Sequence, residues 1–111
     1  MIWPKHKAGT CLRVLSPALM MQFRQKLDAM PDNHPDKALL KRQIGSRTIT
    51  VTVDNAGRIA IPEDMVQEAD IKTDAVFVGL LDRFEIWNPR RYDEAKAIDN
   101  ARLNEALQML E

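Results

Sequence analysis

Little in this sequence invites covalent or metal chemistry. Its 111 residues hold one cysteine, Cys11, and two histidines, His6 and His34. A lone thiol excludes an internal disulfide, and Cys11 lies beside no short-range metal-ligand pattern, so it reads as a small buried residue. Both histidines fall in segments read as flexible or connecting, and Cys11 has no activating partner defined by sequence, which argues against a hydrolase or transferase. Glu63, Asp64 and Glu68 could share part of a helix face, but they read as capping and solvation rather than as a metal or acid-base site. No apolar run is long enough to cross a bilayer, and the opening Met1-Ile2-Trp3-Pro4-Lys5-His6-Lys7 lacks the longer hydrophobic region of a secretory signal. The length permits one compact domain or two small packed units, and separate cofactor and substrate domains of a large enzyme would be difficult to fit.

Net charge is absent too, since 16 basic residues balance 16 acidic ones. The balance hides an asymmetry: residues 1–47 carry nine Lys or Arg against three Asp or Glu, giving +6, and residues 48–111 carry seven against thirteen, giving −6. A polyanion would therefore have to meet a local basic surface, because the whole chain offers it no attraction. The same asymmetry would serve attraction between the halves or between subunits.

What is present is a change of hydrophobic period along the chain. After the short run Cys11-Leu12-Arg13-Val14-Leu15, Ser16-Pro17 predicts a helix start, and Leu19, Phe23, Leu27 and Met30 predict one buried face over residues 17–30. Pro31 ends that helix, and Asp32-Asn33-His34-Pro35 leads into another over residues 35–44. Leu40 and Ile44 are expected inside, with Lys37, Lys41 and Arg42 on a basic face that is either solvated or in contact with phosphate.

The period then switches to two. Thr48-Ile49-Thr50-Val51-Thr52-Val53 reads as the cleanest strand of the chain, and Ile59 and Ile61 resume the alternation after a polar turn. Pro62-Glu63-Asp64 predicts a short helix with Met65, Val66 and Ala69 on its apolar side. Residues 75–80 and Phe84-Glu85-Ile86-Trp87 should pair across a tight turn at Asp82-Arg83, with Phe84 and Ile86 on one face and Glu85 and Trp87 on the other. Trp87 would cover a second layer, a subunit interface or an ordinary core position. Asn88-Pro89 predicts a long docked helix whose stripe runs from Tyr92 through Ala95, Asp99, Leu103 and Ala106 to Leu110, interrupted by the one acid and widened by Ile98 and Leu107.

The turn between the two alternating runs, Val53-Asp54-Asn55-Ala56-Gly57-Arg58-Ile59-Ala60-Ile61-Pro62, is the most informative stretch. Gly57 can take positive φ, which would present Arg58 at the edge of the turn for a phosphate or base contact; a solvated structural turn explains the same letters. Together with Val78-Gly79-Leu80-Leu81-Asp82-Arg83-Phe84-Glu85-Ile86-Trp87, the stretch resembles the second half of the MraZ family of bacterial transcriptional regulators. Cys11-Leu12-Arg13-Val14-Leu15-Ser16-Pro17 resembles the end of that family's first half, and Lys41-Arg42-Gln43-Ile44-Gly45-Ser46 the approach to its second, so that the resemblance covers about residues 9–95.

The resemblance implies an α+β, SpoVT/AbrB-like swapped-hairpin β-barrel with packed helices, with residues 1–45 as a truncated first half and residues 46–111 as a second half carrying the C-terminal helix. It implies a sequence-specific repressor of the division and cell-wall gene cluster that binds repeated promoter sites in double-stranded DNA. The protein is expected to be cytoplasmic and nucleoid-associated, to assemble as a homo-oligomer, in a ring, and to use no metal, no organic cofactor and no membrane. Arg58 inherits the principal DNA contact, Gly57 the turn conformation, Asn55 a secondary base or phosphate contact and Asp54 the support of the turn; Lys37, Lys41 and Arg42 remain candidate phosphate contacts. Two departures stand out: Ala56 replaces the family's usual lysine, and residues 1–10 hold no earlier Asp-x-x-Gly-Arg copy. The second departure reads as truncation, a late start assignment or degeneration. The alternative to a regulator is an interaction module that has kept the fold and lost DNA binding.

Overall fold

Alternating apolar residues form a strand when a neighbouring strand satisfies their backbone, and in this chain that happens at two places. In the computed structural model, which describes residues 1–111 apart from the side chains of residues 3–5, β1 (Ile2–His6) and β2 (Gly9–Val14) form one hairpin. A second hairpin joins β3 (Val76–Gly79) to β4 (Phe84–Trp87). Antiparallel pairing of β2 with β4 fuses the two into a four-stranded sheet of order β1-β2-β4-β3. Leu12 faces Ile86, Arg13 faces Glu85 and Val14 faces Phe84.

Each face of the sheet receives a helix. On one side Met65 of α3 (Glu63–Glu68) and its C-cap Ala69 pack with Ile2, Leu12 and Ile86. On the other, Ala95 of α4 (Pro89–Asn100) packs with Cys11 and Trp87, and Tyr92 adds its ring. The expected division of β4 between faces thus holds, with Phe84 and Ile86 on the first side and Trp87 on the second. Glu85 is buried and fully engaged: Oε2 accepts from Arg13 Nε at 2.7 Å and Oε1 accepts from Trp87 Nε1 at 3.0 Å. Both lone-pair sets of the carboxylate are answered, which is the condition for burying a charge without a large penalty. Next to it, burial pushes the Cys11 thiol up to about 12, so it stays protonated as an apolar filler.

The ends of the helices follow the sequence signals closely. Ser16 Oγ accepts from Leu19 N at the start of α1 (Pro17–Asp28), and Asn88 Oδ1 accepts from Arg91 N at the start of α4. Asn88 Nδ2 also donates to Asp70 O at 2.6 Å, and Arg91 Nη1 donates to Thr10 O and Glu68 O, tying α3, α4 and β2 together. Gly9 sits at φ +129 with Arg91 pressed against it, so a Cβ there would lie 3.2 Å from the arginine side chain. In α1 the expected face of Leu19, Phe23, Leu27 and Met30 points inward but is only half-buried. In α2 (Pro35–Ser46) Ile44 is half-buried, while Leu40 remains 37% exposed.

Three expectations are corrected. The swapped-hairpin β-barrel is not formed: the sheet is open, with β1 and β3 as its two edges. Residues 48–53 and 59–61, which would supply the barrel's hairpin, have no regular structure and pair neither with each other nor with the free edge of β1 or β3, so their alternation is left without a ladder. Strand β1, by contrast, forms from residues that show no alternation of the kind seen at 48–53. Finally, the C-terminal helix is two pieces, α4 and α5 (Leu103–Gln108), and residues 96–111 are all exposed. Its apolar docking is confined to the first turns, where Tyr92 and Ala95 reach the Trp87 side of the sheet; farther along, Asp99 meets His6 of β1 at 3.0 Å, and Leu103 and Leu107 stay about half exposed.

Candidate nucleic-acid interface

The Asp54 carboxylate builds the turn that carries Arg58. Asp54 Oδ1 accepts from Ala56 N at 2.9 Å and from Arg58 N at 2.8 Å, an Asx-type arrangement that replaces the backbone partners a strand would offer. Asp54 N donates to Arg58 O at 2.8 Å and Gly57 N donates to Asp54 O at 3.0 Å, closing the loop on itself. These donors, led by the Arg58 amide, hold the Asp54 carboxyl below the usual carboxylate range. Gly57 adopts φ +78, and a Cβ there would meet nothing within 4 Å. Glycine is therefore needed for the backbone conformation, since the space around it is open.

The result is a solvent-facing arginine on an ordered base. The Arg58 side chain is 79% exposed, and its Nε donates to Asp54 Oδ2 at 3.2 Å. Asn55 and Ala56 are exposed at the tip. Flanking the turn, Ile49 and Val53 stay 43% and 63% exposed, whereas Val51, Ile59 and Ile61 are half-buried over the sheet. Between this arm, the first turns of α1 and the Leu12–Ile86 face of the sheet lies an apolar cleft of about 640 Å³. Met20 and Met21 contribute to its wall; a helix-face pattern read from Leu19 and Phe23 passes over them.

The three basic residues of α2 behave differently from one another. Lys37 Nζ donates to Met30 O at 2.9 Å and to Asp32 Oδ1 at 2.7 Å, and its side chain is only 12% exposed. It caps the end of α1 and so staples the helical hairpin. Lys41 pairs with Asp28 at 3.4 Å, while Arg42 faces solvent. Among the described residues no hydrogen bond or ion pair joins α2 to the Asp54–Arg58 turn. Among them, too, no cluster of three or more His, Cys, Asp or Glu side chains is placed to hold a metal ion, and no helix is long and apolar enough to cross a membrane.

Residues 45–108, more than half of the chain, match the family model described as "MraZ protein, putative antitoxin-like". The chain belongs to the MraZ family. The match contains the whole Asp54–Arg58 turn and the β3–β4 hairpin. Similar proteins include the "Transcriptional regulator MraZ" of Mycoplasma capricolum subsp. capricolum, 35% identical over 77 residues that make up 69% of this chain and 58% of that one. The protein of the same description from Ureaplasma urealyticum serovar 10 is 36% identical over 66% of this chain and 50% of its own length. The one from Alcanivorax borkumensis is 29% identical over 95% of this chain and 73% of its own. Against the first two, the chain spans about half to three-fifths of the relative's length.

Proposed function

We propose that this MraZ-family chain is a sequence-specific DNA-binding transcriptional regulator, a repressor of the bacterial division and cell-wall gene cluster, acting as a ring-forming homo-oligomer on repeated promoter sites. The observation that carries the reading is the Asp54–Arg58 turn: an arginine side chain 79% exposed, on a loop closed by its own hydrogen bonds. Arg58 would read guanine O6 and N7 in the major groove, Asn55 would add a base or phosphate contact, and Arg42 and Lys41 would be the better placed phosphate contacts of α2. Residues 1–45 and 46–111 are proposed to correspond to parts of the family's first and second halves. A single arginine turn touches only a short stretch of duplex, so specificity would come from several copies matched in spacing to repeated sites. On this reading, which the family relationship supports, the protein works on DNA in the cytoplasm, at the nucleoid.

Fluorescence-anisotropy titration of promoter DNA against a scrambled duplex tests this at matched salt, with oligomeric mass recorded on the same sample. Arg58→Ala is expected to remove about 1–3 kcal/mol of discrimination per contacted site while leaving the mass unchanged. Equal preference for the promoter by wild type and variant would overturn the assignment of Arg58. A folded, assembled wild type without promoter preference would instead favour an interaction module, for which Ala56 in place of lysine and the acidic second half speak.

A further inference from the structure

We propose that Asp54 is a positioning residue for base reading: one carboxylate oxygen builds the turn, and the other aims the Arg58 guanidinium. This rests on the DNA-binding reading above and adds to it how specificity is set. An arginine can offer two bidentate forks, one from Nε and Nη2 and one from Nη1 and Nη2. Asp54 Oδ2 takes the Nε hydrogen at 3.2 Å, which commits the first fork and leaves the terminal pair pointing outward. Oδ1 is occupied independently by the amides of Ala56 and Arg58. The two functions of the carboxylate are therefore separable by chemistry.

The other arginine-bearing turn shows what a committed guanidinium looks like. Arg83 donates through both Nε and Nη2 to Asp82, at 3.1 and 3.2 Å, and lies over the Phe23 ring at 5.4 Å. Its side chain is 19% exposed, against 79% for Arg58. Arg83 is a packed residue, whereas Arg58 is held at one nitrogen and open at the other two. In the exposed setting the Asp54 contact is a bias on orientation; it strengthens when a duplex covers the turn and removes water from it.

The test is Asp54→Asn, which keeps a carbonyl oxygen for the two amides and places an amide group or nothing against Arg58 Nε. Duplexes selected by the wild-type protein from a randomised library serve as specific probe, and a scrambled duplex as non-specific probe. The ratio of specific to non-specific affinity should fall by about fivefold or more, the low end of what one bidentate guanine contact contributes. Non-specific affinity should rise, by about twofold, because a negative charge leaves the DNA-facing loop. A role confined to building the turn predicts that both affinities fall together, and an unchanged ratio also overturns the proposal. Amide signals of Ala56 and Arg58 report whether the turn survives; should asparagine lose them, Asp54→Ser keeps a side-chain acceptor for the amides and cannot reach Nε. Slow exchange of the Arg58 Nε–H, abolished in either variant, reads the contact itself without DNA. A wild type that selects no sequence overturns the specificity role together with the DNA-binding reading, whereas selection with an unprotected Nε–H overturns this proposal alone.

Discussion

The chain makes two tight turns that look alike on paper, Asp54–Arg58 and Leu80–Arg83, and they live in opposite mechanical settings. Both contain an aspartate and an arginine, and both use a residue at positive φ, Gly57 at +78 and Leu81 at +74. The second turn closes a β-hairpin whose strands are paired from Val76 opposite Trp87 to Gly79 opposite Phe84, with Leu80 N donating to Arg83 O at 2.7 Å. The first joins two alternating runs that pair with no strand, and it is held by the Asp54 carboxylate instead. In one case the sheet dictates the turn and even forces a leucine into a conformation it resists. In the other the turn is self-contained, and glycine makes its shape inexpensive.

The sharpest way to break this comparison is to remove the core under the hairpin. Trp87→Ala should destabilise the protein by about 3–5 kcal/mol, since Trp87 is 3% exposed and both fills the Cys11–Ala95 side and donates to Glu85. Denaturant unfolding measures the loss. Amide exchange of residues 76–87 should accelerate with it, and exchange at 54–58, outside any sheet ladder, should change far less. Gly57→Ala comes next: a side chain at φ +78 should cost about 1–2 kcal/mol locally, seen as loss of the Ala56 and Arg58 amide signals with only a small shift in the unfolding midpoint. The smallest effect is a gain. Leu81→Gly relieves positive φ at a fully exposed side chain, offset by the entropy glycine loses, and should raise stability by less than about 1 kcal/mol. Loss of stability there would mean that the entropy glycine loses outweighs the strain it relieves.

How much was readable beforehand follows from the range of the forces involved. Ser16-Pro17 and Asn88-Pro89 mark helix starts because caps are made within three residues, and the structure places α1 and α4 accordingly. The Val76–Trp87 hairpin and the assignment of Ile86 and Trp87 to opposite faces were equally legible from period-two alternation. Thr48–Val53 has the better alternation and still forms no strand, because alternation states which side chains could share a face and says nothing about whether a partner edge exists. The stripe from Ile98 to Leu110 suggests docking for the same reason: amphipathicity describes a helix that can pack, and among the described residues this stripe stays exposed.

At the site the same division recurs. Residue order alone specified the Asp54–Arg58 turn, because its donors and acceptors lie within four positions of each other and need no distant element. Tertiary structure decided what long-range contacts must decide. It committed Lys37 to the end of α1 and buried Glu85 between Arg13 and Trp87. It also left the sheet open, because the edges of β1 and β3 lie at opposite ends of the order β1-β2-β4-β3 and no further strand pairs with either to close a barrel.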